Sequence, residues 1–90
     1  MILRIIDRGL TWEIYESLRA RLDIDRMHPL GLIMHGATES EGHVRVAQIW
    51  DSQDYARRFD EDLLRPALEE LGIPLEAEIT VFPLQHLVTP

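Results

Sequence analysis

Cysteine and lysine are both missing from this chain. Without cysteine there are no disulfides, thiolate nucleophiles or sulfur ligands, and the composition fits a reducing, cytoplasmic setting. Without lysine no side-chain Schiff base can form, and all nine cations are arginines, charged at any working pH. Sixteen acids outnumber them for a net charge of -7, which argues against a nucleic-acid partner, since that affinity needs a basic face to neutralise phosphates. No apolar run approaches the roughly 20 residues needed to cross a bilayer, and MILRIID is too short for a signal peptide, so no membrane partner is expected. The five glycines show no phosphate-loop spacing.

What is present is an ordered composition, 46% hydrophobic and 28% charged. The 90 residues read as a single domain, 1–90. A chain this short buries only about 60 to 65% of its unfolded surface, so a partner that adds burial is expected.

Ile2–Asp7 is a β-type run closed by the turn signal Arg8-Gly9. Thr11 then caps WEIYESLRARL, where Ile14, Leu18 and Leu22 recur every four residues and acids lead while arginines trail. DIDRMHP is a connector, its Pro29 forcing His28 out of helical geometry. Leu30–Ala37 and His43–Trp50 are β-type runs joined by the loop TESEG. Asp51-Ser52 caps a helix in which Tyr55, Phe59, Leu63 and Ala67 share one face. Pro66 should end that helix near Leu64 and begin a short second piece, stopped by Gly72. EAEITVFPLQHLV gives a last strand, with Pro83 confining its later half to an edge or exit. The order βαββαβ is the α+β ferredoxin-like plan: a four-stranded antiparallel sheet with two helices on one face. Strand residues look apolar on both faces, and two helices cover one, so a second copy is expected on the other: a homodimer packed sheet on sheet.

Order and wording, above all RVAQIWDSQDYARRF (Arg45–Phe59), LRPALEELGIP and VFPLQHLV, resemble the dimeric α/β-barrel superfamily. That superfamily includes antibiotic-biosynthesis-type monooxygenases and muconolactone isomerases. The resemblance implies the fold and the dimer. Its oxygenase and haem-degrading branches commonly carry a histidine on the second helix; this chain has none there, so no cofactor is expected.

With Thr38–Gly42 as the hairpin loop, His35 falls opposite Arg45 and His43 one diagonal step away, all on one face. A one-residue slip would undo this grouping. These three are the candidate catalytic residues: Arg45 to hold an enolate, phenolate or carboxylate, and a neutral histidine to move a proton. The alternative is that Arg45 pairs with an acid and the histidines are partly buried sheet residues. Trp50, Tyr55 and Phe59 are candidate ligand-lining aromatics, with core filling as the competing role, and His86 is a candidate at a pocket mouth. The four histidines show no metal-ligand spacing, and no metal site is assigned. The acids of the second helix, Asp60 included, read as solubility residues. Two functions are in play: a small cofactor-independent monooxygenase or isomerase acting on an aromatic or enolisable small molecule, or a non-catalytic small-molecule-binding or dimerisation module.

Overall fold

The computed structural model describes residues 1–90. Four strands, β1 (Ile2–Asp7), β2 (Leu32–Ser40), β3 (His43–Trp50) and β4 (Glu78–Pro83), form an antiparallel sheet in the order β2-β3-β1-β4. Between β1 and β2 lie α1 (Trp12–Leu22) and a single helical turn, α2 (Ile24–Met27). Between β3 and β4, α3 (Gln53–Phe59) runs through one π-helical turn, Asp60–Leu64, into α4 (Arg65–Leu71). This is the expected ferredoxin-like plan.

The local signals explain most boundaries. Thr11 accepts a hydrogen bond from the Ile14 N–H, and Ser52 from the Tyr55 N–H, each satisfying a donor the first helical turn leaves free. His28, before Pro29, sits at φ 45° and ends α2, which the sequence had offered only as a connector. Gly72, at φ 69°, closes α4.

The second helix divides after Leu64 as expected, but without a break: the chain stays helical across the junction. Proline cannot donate to the preceding turn and its ring crowds the carbonyl four residues back. The backbone widens instead: the Arg65 N–H bonds the Asp60 carbonyl, an i to i−5 bond, and Pro66 falls in the first turn of α4, where its missing N–H costs nothing. The wider turn sets Leu64 into the core and Asp60 against the sheet.

The hairpin also differs. Glu41 and Gly42 alone form the turn, at φ 56° and 86°, the two positive values of a tight turn whose twist matches the flanking strands. Ser40 therefore pairs with His43, Thr38 with Arg45, and His35 with Gln48. The expected pairing of His35 with Arg45 is off by three residues. Side chains alternate between faces, so an odd slip moves His35 to the face opposite His43 and Arg45.

One face carries Ile2, Arg4 and Ile6 of β1 and Val44, Val46, Gln48 and Trp50 of β3, and the helices cover it. Leu18, Trp50, Phe59, Leu64, Ala67 and Leu68 form the core there, with Trp50 wholly buried and its ring 5.3 Å from that of Phe59. Of the proposed α1 stripe, Leu18 is buried, whereas Ile14 points outward and its neighbour Tyr15 is buried instead. The other face has no helix over it. Its centre is apolar, with Leu3, Ile5, Met34, Ala47, Ile49 and Phe82; Met34 and Phe82 are each about half exposed.

Two glycines at positive φ distinguish strain from collision. A Cβ on Gly31 would lie 2.4 Å from the Tyr55 ring, whereas one on Gly42 would meet nothing. Gly42→Ala should cost about 1–2 kcal/mol of left-handed strain, and Gly31→Ala roughly 1–3 kcal/mol more from overpacking, read by urea unfolding. Equal losses would contradict this packing.

Candidate functional site

A cavity of about 50 Å³ lies between the sheet and the helices. Its wall is mostly aliphatic, with Ile6, Leu10, Leu18, Val44, Phe59 and Leu64. Five polar side chains interrupt it: Arg8, Tyr15, Arg19, His35 and Gln48. The volume is about a third of the roughly 150 Å³ apolar cavity that admits benzene, so an aromatic ring must push side chains aside to enter.

The polar part is built outward from Arg4. This arginine sits at an inward position of β1, almost fully buried, and cannot stay charged there without a partner. Asp60 supplies it: Arg4 Nη1 lies 2.6 Å and Nη2 3.1 Å from its two carboxylate oxygens. Asp60 is thus a structural counterion rather than a solubility residue. Arg4 Nη2 also donates to Gln48 Oε1 at 2.8 Å, and the Trp50 indole N–H donates to the same oxygen at 2.9 Å. Both partners are donors only, so the acceptor end of the Gln48 amide is fixed toward them. Its Nε2 is left facing His35 Nδ1 at 3.2 Å. An amide nitrogen can only donate, so Nδ1 accepts and carries no proton.

The consequence reaches Tyr15. A neutral His35 with a bare Nδ1 carries its proton on Nε2, which lies 2.9 Å from the Tyr15 hydroxyl. His35 therefore donates and the Tyr15 oxygen accepts. A second proton on His35 would set N–H against N–H at Gln48. Burial opposes that proton as well and holds the imidazole below its ordinary value, with Asp25 pulling weakly the other way and Arg19 reinforcing the shift. Burial pushes the Tyr15 phenol up, so it remains a donor.

Arg8 is the second feature of the cavity. Half-buried at the end of β1, it has one hydrogen bond, from Nη1 to the Leu75 carbonyl at 3.0 Å, and no carboxylate within ion-pair distance. Burial lowers its pKa, with Asp60 pulling the other way and Arg4 reinforcing the shift, but a guanidinium remains charged at any working pH. Arg19, by contrast, is held by Glu16 at 2.9 Å and Asp25 at 2.6 Å.

The residues singled out from the sequence separate accordingly. His35 lines the cavity. His43 and Arg45 lie on the opposite face around Asp7: His43 Nδ1 is 3.0 Å and Arg45 Nε 3.6 Å from its carboxylate, and Glu41 is 3.7 Å from Arg45. The proposed trio is not one site. Of the aromatics, Phe59 lines the cavity, while Trp50 is core and acts through Gln48. Tyr55 packs on Gly31 beneath Arg58, away from the cavity. His86 is exposed beyond β4 and outside the cavity wall. No three His, Asp or Glu side chains converge as a metal-holding group. Sequence reasoning missed Arg8, read only as a turn, and Gln48, a polar residue at an inward position of an apolar strand, whose parity was the available signal.

The fold is the ferredoxin-like plan, shared by solved proteins named as antibiotic biosynthesis monooxygenases from Deinococcus radiodurans and Nitrosomonas europaea. Individual structures agree over nearly the whole chain. Rv0793 from Mycobacterium tuberculosis superposes with a TM-score of 0.70 at 13% identity, covering 99% of this chain and all of its own. SnoaB, a cofactor-independent oxygenase from Streptomyces nogalater, gives 0.64 at 15%, covering 99% of this chain and 95% of its own. A MhuD variant carrying two manganese protoporphyrin IX molecules per active site gives 0.65 at 12%, with full coverage of both chains. These identities speak to fold alone. No family model and no curated protein sequence matches the chain.

The His35 environment sets a pH dependence. Its folded pKa lies below 6.5, so the unfolded chain binds the proton more readily and stability falls as pH drops below that value. The slope reaches at most about 1.4 kcal/mol per pH unit until the folded group itself titrates. Asp7 is held low chiefly by the Gly9 N–H, and its contribution is lost only in a separate window, as pH falls below 3.8. Melting curves between pH 7 and 5 should therefore be steeper for the native chain than for His35→Gln. Parallel curves would contradict the assignment.

Proposed function

We propose that this chain is a small enzyme of the cofactor-independent monooxygenase or isomerase type, acting on an enolisable or aromatic small molecule in the cavity between sheet and helices. One observation carries the reading: Arg8, a cation with no carboxylate in ion-pair contact and only the more distant Asp60, already paired with Arg4, to offset it, faces a largely apolar cavity beside the Tyr15–His35 pair. Binding a substrate anion there would complete the charge balance of the site. In a dry pocket the guanidinium would stabilise an enolate or phenolate far more than in water. That anion supplies the electrons for reaction with dioxygen, one oxygen atom being retained and the other leaving as water. In isomerisation the anion takes a proton back at a different carbon. Arg8 assumes the anion-holding role first suggested for Arg45, and His35 acts through the Tyr15 hydroxyl. The fold shared with a cofactor-independent oxygenase is compatible with this chemistry.

A metalloporphyrin such as the MhuD variant carries, haem included, does not suit this donor set. On the cavity wall the second helix offers only Phe59 and Leu64, Tyr15 of α1 is held as a neutral phenol against His35, and His35, the one histidine there, has both ring nitrogens engaged. The alternative reading, a binding or dimerisation module, draws support from the uncovered sheet face. The Asp7–His43–Arg45 cluster there borders the apolar centre and would tie two sheets together in a homodimer of the 1–90 unit.

Oxygen uptake across a panel of enolisable β-diketones and phenols tests the catalytic reading. Turnover should be found, and Arg8→Met should lower kcat/KM by about 10²-fold while leaving the melting temperature within a few degrees. Unaltered turnover in Arg8→Met would remove Arg8 from the mechanism. For the dimer, sedimentation should give twice the 10.5 kDa chain mass at micromolar concentration, and a mass of 10.5 kDa would overturn it.

A further inference from the structure

We propose that the cavity takes its ligand in the already ionised form, because every polar side chain on its wall is a donor, and that Gln48 is the positioning residue that makes it so. The inference rests on the cavity being the ligand site. Arg8 and Arg19 can only donate. Gln48 turns its one acceptor oxygen away from the cavity, toward Arg4 and Trp50, and shows its Nε2 to His35. That bond consumes the lone pair of Nδ1, the only basic atom on the wall. His35 then donates from Nε2 to Tyr15, so the phenol oxygen is already an acceptor and its own proton has no protein partner. Reverse the amide and the whole pattern would reverse. The burial of Arg4 on one side and of the Trp50 indole on the other prevents it.

A neutral acid or phenol in such a cavity brings one donor too many. Its oxygen can accept from Arg8 or Tyr15, but its hydroxyl proton meets no free nitrogen lone pair and no carboxylate, only a Tyr15 oxygen already accepting from His35, and pairs poorly in an apolar enclosure. The conjugate base has no proton to place and gains charge-assisted hydrogen bonds from the same groups. The ligand class is therefore a small organic acid bound as enolate, phenolate or carboxylate, its proton surrendered to solvent before it enters. Amines and neutral hydroxylic molecules are disfavoured by the same arithmetic of donors. For the chemistry this means that the wall offers no general base, and selection of the ionised substrate replaces the deprotonation step.

4-Nitrophenol tests this directly, because its ionised form absorbs in the violet, where protein and neutral phenol do not. Spectrophotometric titration in the presence of the native chain should show the bound phenol's apparent pKa lowered by about one unit or more, a tenfold or greater preference for the phenolate. 4-Nitroanisole, of nearly the same shape but unable to ionise, should bind at least tenfold more weakly. Tyr15→Phe should reduce the preference. Gln48→Glu, which places an acceptor and a negative charge on the wall, should abolish it, and should raise the His35 pKa followed by NMR. An unchanged or raised pKa of the bound phenol, equal binding of nitroanisole, or no binding of either compound at millimolar concentration would overturn the proposal. Failure to find a turned-over substrate would sink the enzyme reading and leave a measured phenolate preference intact, so the two can fail separately.

Discussion

The Gln48 amide oxygen takes two hydrogen bonds at once, one from a buried guanidinium and one from a buried indole, and most of the chemistry of this fold follows from that. Neither donor can be turned into an acceptor, so the amide has one orientation, the imidazole beyond it one tautomer, and the phenol beyond that one role. The chain Asp60–Arg4–Gln48–His35–Tyr15 starts at a partly exposed carboxylate on the helices, crosses the three neighbouring strands β1, β3 and β2 and ends at the cavity wall. A buried polar chain of this kind gains from each member that is satisfied, and here only Arg4 Nε and the Tyr15 hydroxyl proton find no partner along it. Asp60 meets the charge of Arg4, and the π-helical turn enforced by Pro66 is the local backbone feature that brings Asp60 there.

The sheet thereby acquires two polar systems that do not communicate through side chains. On the covered face the network ends in a cavity where one cation, Arg8, has no carboxylate in ion-pair contact and shares the field of Asp60 with Arg4. On the uncovered face Asp7 binds the Gly9 N–H and His43 and lies near Arg45, satisfying its charges locally. The contrast decides where chemistry is sought: an arginine already shared between two carboxylates has little to offer a ligand, whereas one resting on a single carbonyl does.

Much of this architecture was legible. The edges of β1, α1 and β3, both N-caps and the glycine stop at Gly72 rest on short-range rules that the tertiary structure left alone. The register of the β2–β3 hairpin was not legible, because Glu41-Gly42 lacks the Asn-Gly or Asp-Gly signature of a two-residue turn and Thr38, Glu39 and Ser40 look like loop residues. They extend the strand instead. Three residues of slip were enough to separate His35 from His43 and Arg45, since strand faces alternate with period two. Arg4 and Gln48 left a faint trace, each a polar residue at an inward position flanked by Ile, Val or Trp. A charge at such a position demands a partner, but which helix residue supplies it depends on a π turn that no periodicity announces.

The whole network depends on the proton of one ring. Nitrogen-15 NMR of the His35 imidazole at pH 7 reads it directly, with Gln48→Glu identifying the resonance. The network predicts a neutral ring protonated at Nε2 and bare at Nδ1. An imidazolium, or a neutral ring with its proton on Nδ1, would contradict it.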